Sequence, residues 1–295
     1  MLKYLLITNP ASGKRKGVDI LRQVQPILRS VDIELESIMT SHTRHAEDII
    51  REVDLTKFKA ICVVGGDGTY HEVINGLLTR KDGIELPLGF IPAGTGNSLL
   101  KSLALDTVEA ATKNILKGNI QTCDIAEIDT QTGKVYSFNV IGWGIPTDVN
   151  TMAEQFRWAK TQRYNLAAIM AIFRNRSRIA HVEMDDQIVH GDISFIVACN
   201  TAYAGNGMQL APDAQIDDGL LDLLVIKKVS RFKLFRLFTK IFSGTHLPNN
   251  DIQYFRVKHF KVQSDADIPL IIDGETLGSA PFSVKVLPNR IKIFR

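Results

Sequence analysis

The sequence predicts an α/β plus β protein, a parallel α/β domain followed by an antiparallel β-sandwich domain. Three observations carry that expectation. Residues 1–122 alternate strand-like apolar runs with helix-spaced segments, the pattern of a parallel sheet covered by helices. Beyond Thr122 the apolar runs shorten, alternate with polar residues and are separated by turn residues, as in an antiparallel β-domain. The chain has 295 residues, 45% of them apolar, which is enough for one large core or two medium ones. The expected division is 1–122, then 123–286, with a last strand over 287–295 that can return to the first domain.

The elements follow in order. Leu2–Thr8 is a strand, and Gly17–Ser30 has helical spacing in Ile20, Leu21, Val24, Ile27 and Leu28. Ile33–Met39 is a second strand and Ala46–Val53 a short helix. Lys59–Val64 is a continuous apolar run, as a strand covered on both faces requires. Thr69–Thr79 is a helix, Leu86–Ile91 a strand, Asn97–Leu103 a helix, and Thr107–Lys117 a helix stopped by Gly118. CDIAEIDTQTGKVYSFNVIGWG (123–144) reads as a hairpin with a polar turn at Thr132-Gly133. Short strand candidates follow at 181–200, 220–228, 255–264, 268–274, 282–288 and 290–294, interrupted by helices over 150–175 and 230–243.

Composition narrows the setting. A formal charge of +3 with 23% charged residues makes no case for nucleic acid as a partner. Cys62, Cys123 and Cys199 are odd in number and sit in apolar runs, so they read as buried free thiols of a reducing compartment. MLKYLLITNP reads as a first strand, not a signal peptide. The longest purely apolar stretch, Leu166 to Phe173, is far below the ~20 residues that cross a bilayer. A cytoplasmic protein in peripheral contact with a membrane is expected, and a homodimer is compatible with it.

Three predicted strands end in similar chemistry: TNPASGKRKG (8–17), GGDGTYHE (65–72) and IPAGTGNSL (91–99). Parallel sheets bind ligands beyond the carboxyl ends of their strands. Glycine lets backbone N–H groups approach phosphate oxygens, and a helix N-terminus adds a favourable dipole. Thr69, Thr95, Asn97 and Ser98 add short polar side chains, and Lys14 and Arg15 add positive charge. GGDGTYH lacks the third glycine of G-x-G-x-x-G, and SGKRK lacks the first glycine and the Ser/Thr of a P-loop. One such tip reads equally well as a turn; three in one short domain point to a phosphate site. Asp67 would repel phosphate unless a cation or a hydrogen bond stands between them. By residues alone, QIDDGLL (215–221) is an ordinary Asp-Gly turn, although Asp217 and Asp218 can offer oxygens to magnesium. Glu275 in IIDGETLG is likewise a solvated turn acid, His71 a helix-surface or packing histidine, and Asp124 a further acid at a strand edge.

VVGGDGTYHEVING (63–76) with IPAGTGNSL resembles the diacylglycerol kinase catalytic-domain family, which includes bacterial soluble lipid kinases, sphingosine kinases and ceramide kinases. TNPASGK, WGIPTDVN (143–150), the basic RWAKTQRY stretch (157–164), IDDGLLDLLVI (216–226) and IIDGETL (271–277) fall in the family's order, so the resemblance spans essentially the whole chain. It implies an ATP-binding first lobe of NAD kinase/phosphofructokinase type, a β-sandwich second lobe, an active site between them, and ATP and Mg2+ as cofactors. Nucleotide binding is carried by position to Thr40, to Gly66 through Glu72 (Gly66, Asp67, Gly68, Thr69, Tyr70, His71 and Glu72) and to Thr95. The glycine tips extend that set to Asn9, Lys14, Gly65, Gly94, Gly96 and Asn97. The family's magnesium site matches the carbonyls of Gln215 and Leu220 and the side chain of Asp218. Its general base matches Glu275, with Asp67 as the second candidate and Asp273 as support for the turn or the base.

A lipid kinase must touch a membrane. SRFKLFRLFTKIFSG (230–244) places Leu234, Phe235, Phe238, Ile241 and Phe242 on one face, and Arg231, Lys233, Arg236 and Lys240 are its only charges. Such a helix either lies in a membrane interface or packs its apolar face on the second lobe. Residues 154–178 allow the same two readings, with Arg157, Lys160, Arg163, Arg174, Arg176 and Arg178 against one acid, Glu154. WGIPTDVNTMAEQFRWAK is similar to the sphingosine and ceramide kinase branch. Where sphingosine kinases resemble one another in a second aspartate for the lipid amine, this chain has Asn150, and an amide forms no ion pair with an ammonium. IDDGLLDL resembles the bacterial diacylglycerol kinases. The implied reaction is γ-phosphoryl transfer from ATP to a hydroxyl of a membrane lipid, diacylglycerol first. The alternatives are a sphingoid-base or ceramide-type kinase, an NAD kinase-like small-molecule kinase, and a nucleotide-sensing module without activity.

Overall fold

The computed structural model describes residues 2–30, 33–156, 162–205, 207–247 and 249–295. The chain forms two compact units, Met1–Ile125 with Pro288–Arg295, and Ala126–Leu287.

The first unit runs β1 (Leu2–Thr8), a single turn α1 (Ser12–Arg15), α2 (Gly17–Arg29), β2 (Ile33–Met39), α3 (His45–Glu52), β3 (Ala60–Gly65), α4 (Asp67–Leu78), β4 (Leu88–Pro92), α5 (Ser98–Ser102), α6 (Val108–Lys117) and the start of β5 (Ile120–Thr130). Its strands are parallel in the order β2-β1-β3-β4. Leu5, Leu6, Ile7 and the whole of β3 are shielded from solvent, which is why those runs are apolar without alternation. Leu21, Val24 and Leu28 of α2 pack on one face of the sheet, against Leu6, Cys62 and Val64. The strand order reverses direction between β1 and β3, and such a reversal opens a crevice past the strand ends. α4 begins at Asp67, two residues before the sequence-based expectation, because an acid in the first turn complements the helix dipole. The chain's end returns to this unit: Ile293 pairs in parallel with Leu88, and the buried Asp124 accepts the Asn289 N–H at 2.6 Å.

The second unit continues with β6 (Gly133–Ser137), β7 (Val140–Gly144), α7 (Ile145–Gln155), α8 (Arg163–Arg174), β8 (Arg178–Met184), β9 (Gln187–Cys199), β10 (Tyr203–Ala204), β11 (Met208–Gln209), β12 (Leu221–Lys227), α9 (Arg231–Ile241), β13 (Gln253–Val257), β14 (His259–Gln263), β15 (Pro269–Ile272), β16 (Glu275–Ser279) and β17 (Phe282–Phe294). β9 organises it, pairing antiparallel with β8 through Gln187–Ile193 and with β7 and β12 through its second half. Trp143, Phe260, Phe282 and the alternate residues of β8 and β9 form the β core.

Three helices form a second apolar cluster, where Met152, Ala167, Ala171, Leu234 and Leu237 meet Leu224 and Ile226 of β12. The helix expected over 150–175 is in fact two helices, the first opening at Ile145-Pro146, where proline's fixed φ suits a first turn. Arg157 and Lys160 of the expected basic stretch lie outside the described residues. The single apolar face expected for α9 is corrected as well. Leu234 and Leu237 point inward, whereas Phe235 and Phe242 are exposed, because the helix carries two apolar stripes and not one.

Candidate active site

Three strand tips of the first unit meet beyond the β1/β3 reversal. Asn9, the residue after β1, donates its amide to Thr69 Oγ1 at 2.9 Å and accepts the Ala11 N–H at 3.0 Å. It therefore ties the β1 tip to the first turn of α4. The Gly65 carbonyl accepts the N–H groups of Ala93 at 2.6 Å and Gly94 at 3.1 Å, which ties β3 to the loop after β4. The two glycine loops touch backbone to backbone, and a Cβ on Gly66 would stand 2.9 Å from Gly94 Cα. Gly66 has φ −121°, open to any residue, so the glycine is required for space alone. Asp67 Oδ2 accepts the Ser98 N–H at 3.0 Å, and Asn97 donates to the Gly94 carbonyl at 3.0 Å. Thr8 Oγ1 and Asn97 Oδ1 are buried there without a hydrogen-bond partner among the described residues, and buried polar atoms are rarely left so.

The β1 loop adds strain and charge. Gly13, Lys14 and Arg15 are all left-handed, with φ of 55°, 64° and 70°. Each non-glycine residue in that region costs about 1–2 kcal/mol. Both cations are exposed. Strained backbone of this kind gathers at ligand clamps.

The remaining expected nucleotide residues divide. Thr40 is buried beside this cluster, its N–H donating to the Thr8 carbonyl at 2.9 Å, while Gly68 opens α4 and Thr95 and Gly96 lie in the loop between β4 and α5. Glu72 uses both carboxylate oxygens on the N–H groups of Arg44 (2.9 Å) and Ala46 (3.1 Å), where α3 begins. His71 is buried in α4 with its ring nitrogen 3.3 Å from the Asn75 amide, which is the packing reading of that histidine.

In the second unit, Asp273 and Gly274 form the two-residue turn between β15 and β16, both with positive φ (51° and 95°). Asp273 is buried. Its Oδ1 accepts from Ser137 Oγ (2.7 Å), Asn139 N–H (3.0 Å) and Val140 N–H (3.0 Å), and its Oδ2 from Phe138 N–H (3.2 Å). The turn is thus bolted to β7, and Glu275, the first residue of β16, is held exposed beside it. Its neighbour Thr276 accepts the Asn150 amide of α7 at 3.0 Å. Asp148, in the first turn of α7, is held by both guanidinium nitrogens of Arg178 at 2.7 and 2.8 Å.

Asp218 accepts the Leu220 N–H at 2.9 Å, closing its own turn, and its other oxygen pairs with Arg256. Gln215 is exposed and Leu220 half-buried. Behind them Asp222 is buried and takes the Tyr254 hydroxyl. Burial, with smaller contributions from Asp218 and Asp213, raises its pKa above the ordinary carboxylate value. Among the described residues no three His, Cys, Asp or Glu side chains assemble as a metal cage. Sequence reasoning missed Arg256 and Asp222 here and the Ser137–Val140 nest around Asp273. No short motif marks them, since each partner lies more than thirty residues away in the chain.

Comparison with known proteins gives the family. A family model of the diacylglycerol kinase catalytic domain matches residues 3–128, and one of the YegS C-terminal NAD kinase beta sandwich-like domain matches residues 139–295. Sphingosine kinase 1 of Arabidopsis thaliana is 30% identical, over 96% of this chain and 70% of its own length. The chain belongs to the diacylglycerol kinase-like family of lipid kinases. A diacylglycerol kinase of Bacillus subtilis (strain 168) is 28% identical over 95% of this chain and 92% of its own length. The crystal structure of a Bacillus anthracis diacylglycerol kinase shares the fold, with a TM-score of 0.82 over 99% of this chain and 96% of that one at 24% identity. The first unit's α/β sheet lies in the catalytic-domain match and the second unit's β structure in the beta sandwich-like match.

Proposed function

We propose that this lipid kinase transfers the γ-phosphoryl group of ATP to the hydroxyl of a neutral glycerolipid, diacylglycerol first, with Mg2+ as cofactor. Relatives are named both for sphingosine and for diacylglycerol. The observation that favours the second is Asn150, an uncharged amide bonded to Thr276 next to Glu275. The acid in the first half of α7, Asp148, is neutralised by Arg178. A sphingoid ammonium would find no counter-charge from either position.

The glycine tips fit a nucleotide. Gly66 and Gly94 leave bare backbone where a Cβ has no room, and Thr8 Oγ1 and Asn97 Oδ1 want partners. In this reading Gly65–Thr69 and Gly94–Asn97 cradle the phosphates, with Lys14 and Arg15 supplying charge. The oxygen donors of Gln215, Asp218 and Leu220 fit Mg2+ in kind, although Arg256 competes for Asp218. When bound, Mg2+ supplies neutralisation of phosphate charge. Asp67 commits one oxygen to Ser98, so Glu275, exposed on a rigid turn, takes the role of proton acceptor from the lipid hydroxyl.

The test is transfer from labelled ATP into mixed micelles of diacylglycerol, sphingosine, ceramide or phosphatidylglycerol, with and without Mg2+. Labelled phosphatidic acid that disappears on chelation is expected; label in sphingosine alone would overturn the acceptor assignment. Glu275→Gln is expected to lower kcat by about 10²–10⁴-fold, the usual worth of a general base, while ATP still binds. Full activity in that variant would remove Glu275 from the chemistry.

A further inference from the structure

We infer that the corner formed by the end of α8 and the start of α9 is a docking surface for an anionic lipid bilayer. The inference deepens the lipid-acceptor reading, on which it rests for its biological use, but it has an independent physical footing.

Asn175, which caps α8 in a left-handed conformation, donates its amide to the Val229 carbonyl at 3.0 Å, and Ser230 then caps α9. That bond brings Phe173 and Arg174 to the beginning of α9, where Arg231 and Phe232 stand. Phe173 is 64% exposed and Phe232 is 77% exposed, and a contiguous exposed aromatic patch of this kind marks an interaction surface. The aromatic exposure continues along α9: Phe232, Phe235 and Phe242 are spaced three and seven apart and so share one stripe. Phe232 and Phe235 lie apart from the inward Leu234 and Leu237, while Phe242 packs edge-on against Phe238 at the end of the stripe.

Charge says what covers it. Neither α8 nor α9 contains an acid. Arg174, Arg231 and Arg236 make no ion pair among the described residues, whereas Lys233 is answered by Asp251 at 2.8 Å. Exposed aromatic rings ringed by unanswered cations match a surface that is apolar a few ångströms down and negative at its face, which is the profile of an anionic bilayer. A nucleic acid would use the cations and leave the phenylalanines in water. A second copy of this chain would bring more positive charge to the same patch.

The experiment uses the full chain with vesicles of phosphatidylcholine alone or with one-third phosphatidylserine, read by sedimentation. Transfer to monomeric, short-chain diacylglycerol is assayed in parallel. Wild-type protein is expected on the anionic vesicles only. Arg174→Gln/Arg231→Gln is expected to weaken that partition about 25-fold, roughly fivefold per cation. Phe173→Ser/Phe232→Ser is expected to weaken it by on the order of tenfold or more. Both variants replace exposed side chains, and both are expected to keep the wild-type melting temperature and the wild-type rate on monomeric acceptor. Vesicle binding that both variants retain overturns the inference. So does a dimer that the phenylalanine pair dissolves while vesicle binding stays unchanged. If no acceptor is phosphorylated at all yet binding is lost in the variants, the docking surface stands and the acceptor reading falls.

Discussion

Asp273 is an acid spent on architecture. Three backbone N–H groups and a hydroxyl converge on its carboxylate. Asp273→Asn keeps the shape but turns one acceptor into a donor facing donors. The expected cost is about 2–4 kcal/mol of unfolding free energy, read by urea denaturation, since hydrogen bonds to charged groups are worth ~1.5–3 kcal/mol each. Because Glu275 follows two residues later, activity should fall further than stability alone explains, and the fall should persist at temperatures where the variant is fully folded. A variant with wild-type stability would show that the nest is not holding the turn. The sequence marks Asp273 only as part of an Asp-Gly turn beside Glu275, because the groups that explain it arrive from Ser137–Val140.

At the scale of elements, the approach of two loops decides whether the glycine tips hold their shape. The contact between Gly66 after β3 and Gly94 after β4 leaves no room for a methyl group, although the backbone of Gly66 would accept alanine. Gly66→Ala is therefore expected to push the loops apart and raise the Kd for ATP more than tenfold by titration calorimetry, a loss of more than about 1.4 kcal/mol. Tight ATP binding in a folded Gly66→Ala protein would locate the phosphates elsewhere. These tips were legible in the sequence because glycine, proline and short polar residues interrupt continuous apolar runs, a signal that is local. The two faces of α9 were not. Leucine and phenylalanine weigh alike in a periodicity, so an inner Leu234–Leu237 stripe and an outer Phe232–Phe235 stripe merge until packing separates them. Glu72 sits in the motif by position, and its carboxylate also caps the start of α3, a partner that only the fold supplies.

For the whole molecule, stability should depend on acid. His246 is 2% exposed, its Nε2 donates to the Leu210 carbonyl at 2.9 Å, and its Nδ1 is buried with no hydrogen-bond partner among the described residues. Burial lowers its pKa below the ordinary 6.5, so the folded protein binds its proton less readily than the unfolded chain does. Stability is thus complete above that value and lost as pH falls below it toward the folded pKa. Thermal melts from pH 7.5 to 5 should show a decline that is smaller in His246→Gln, and an identical decline in the variant would assign it to other groups.

The chain leaves the first unit at Ile125 and completes it only with Pro288–Arg295, whose Asn289 satisfies the buried Asp124 and whose Ile293 lies alongside β4. On the ribosome, the part made first is therefore the part finished last. Until Pro288–Arg295 emerge, β4 offers an open edge and Asp124 lacks the Asn289 N–H, so the nascent first unit waits half-closed while the whole second unit is synthesised.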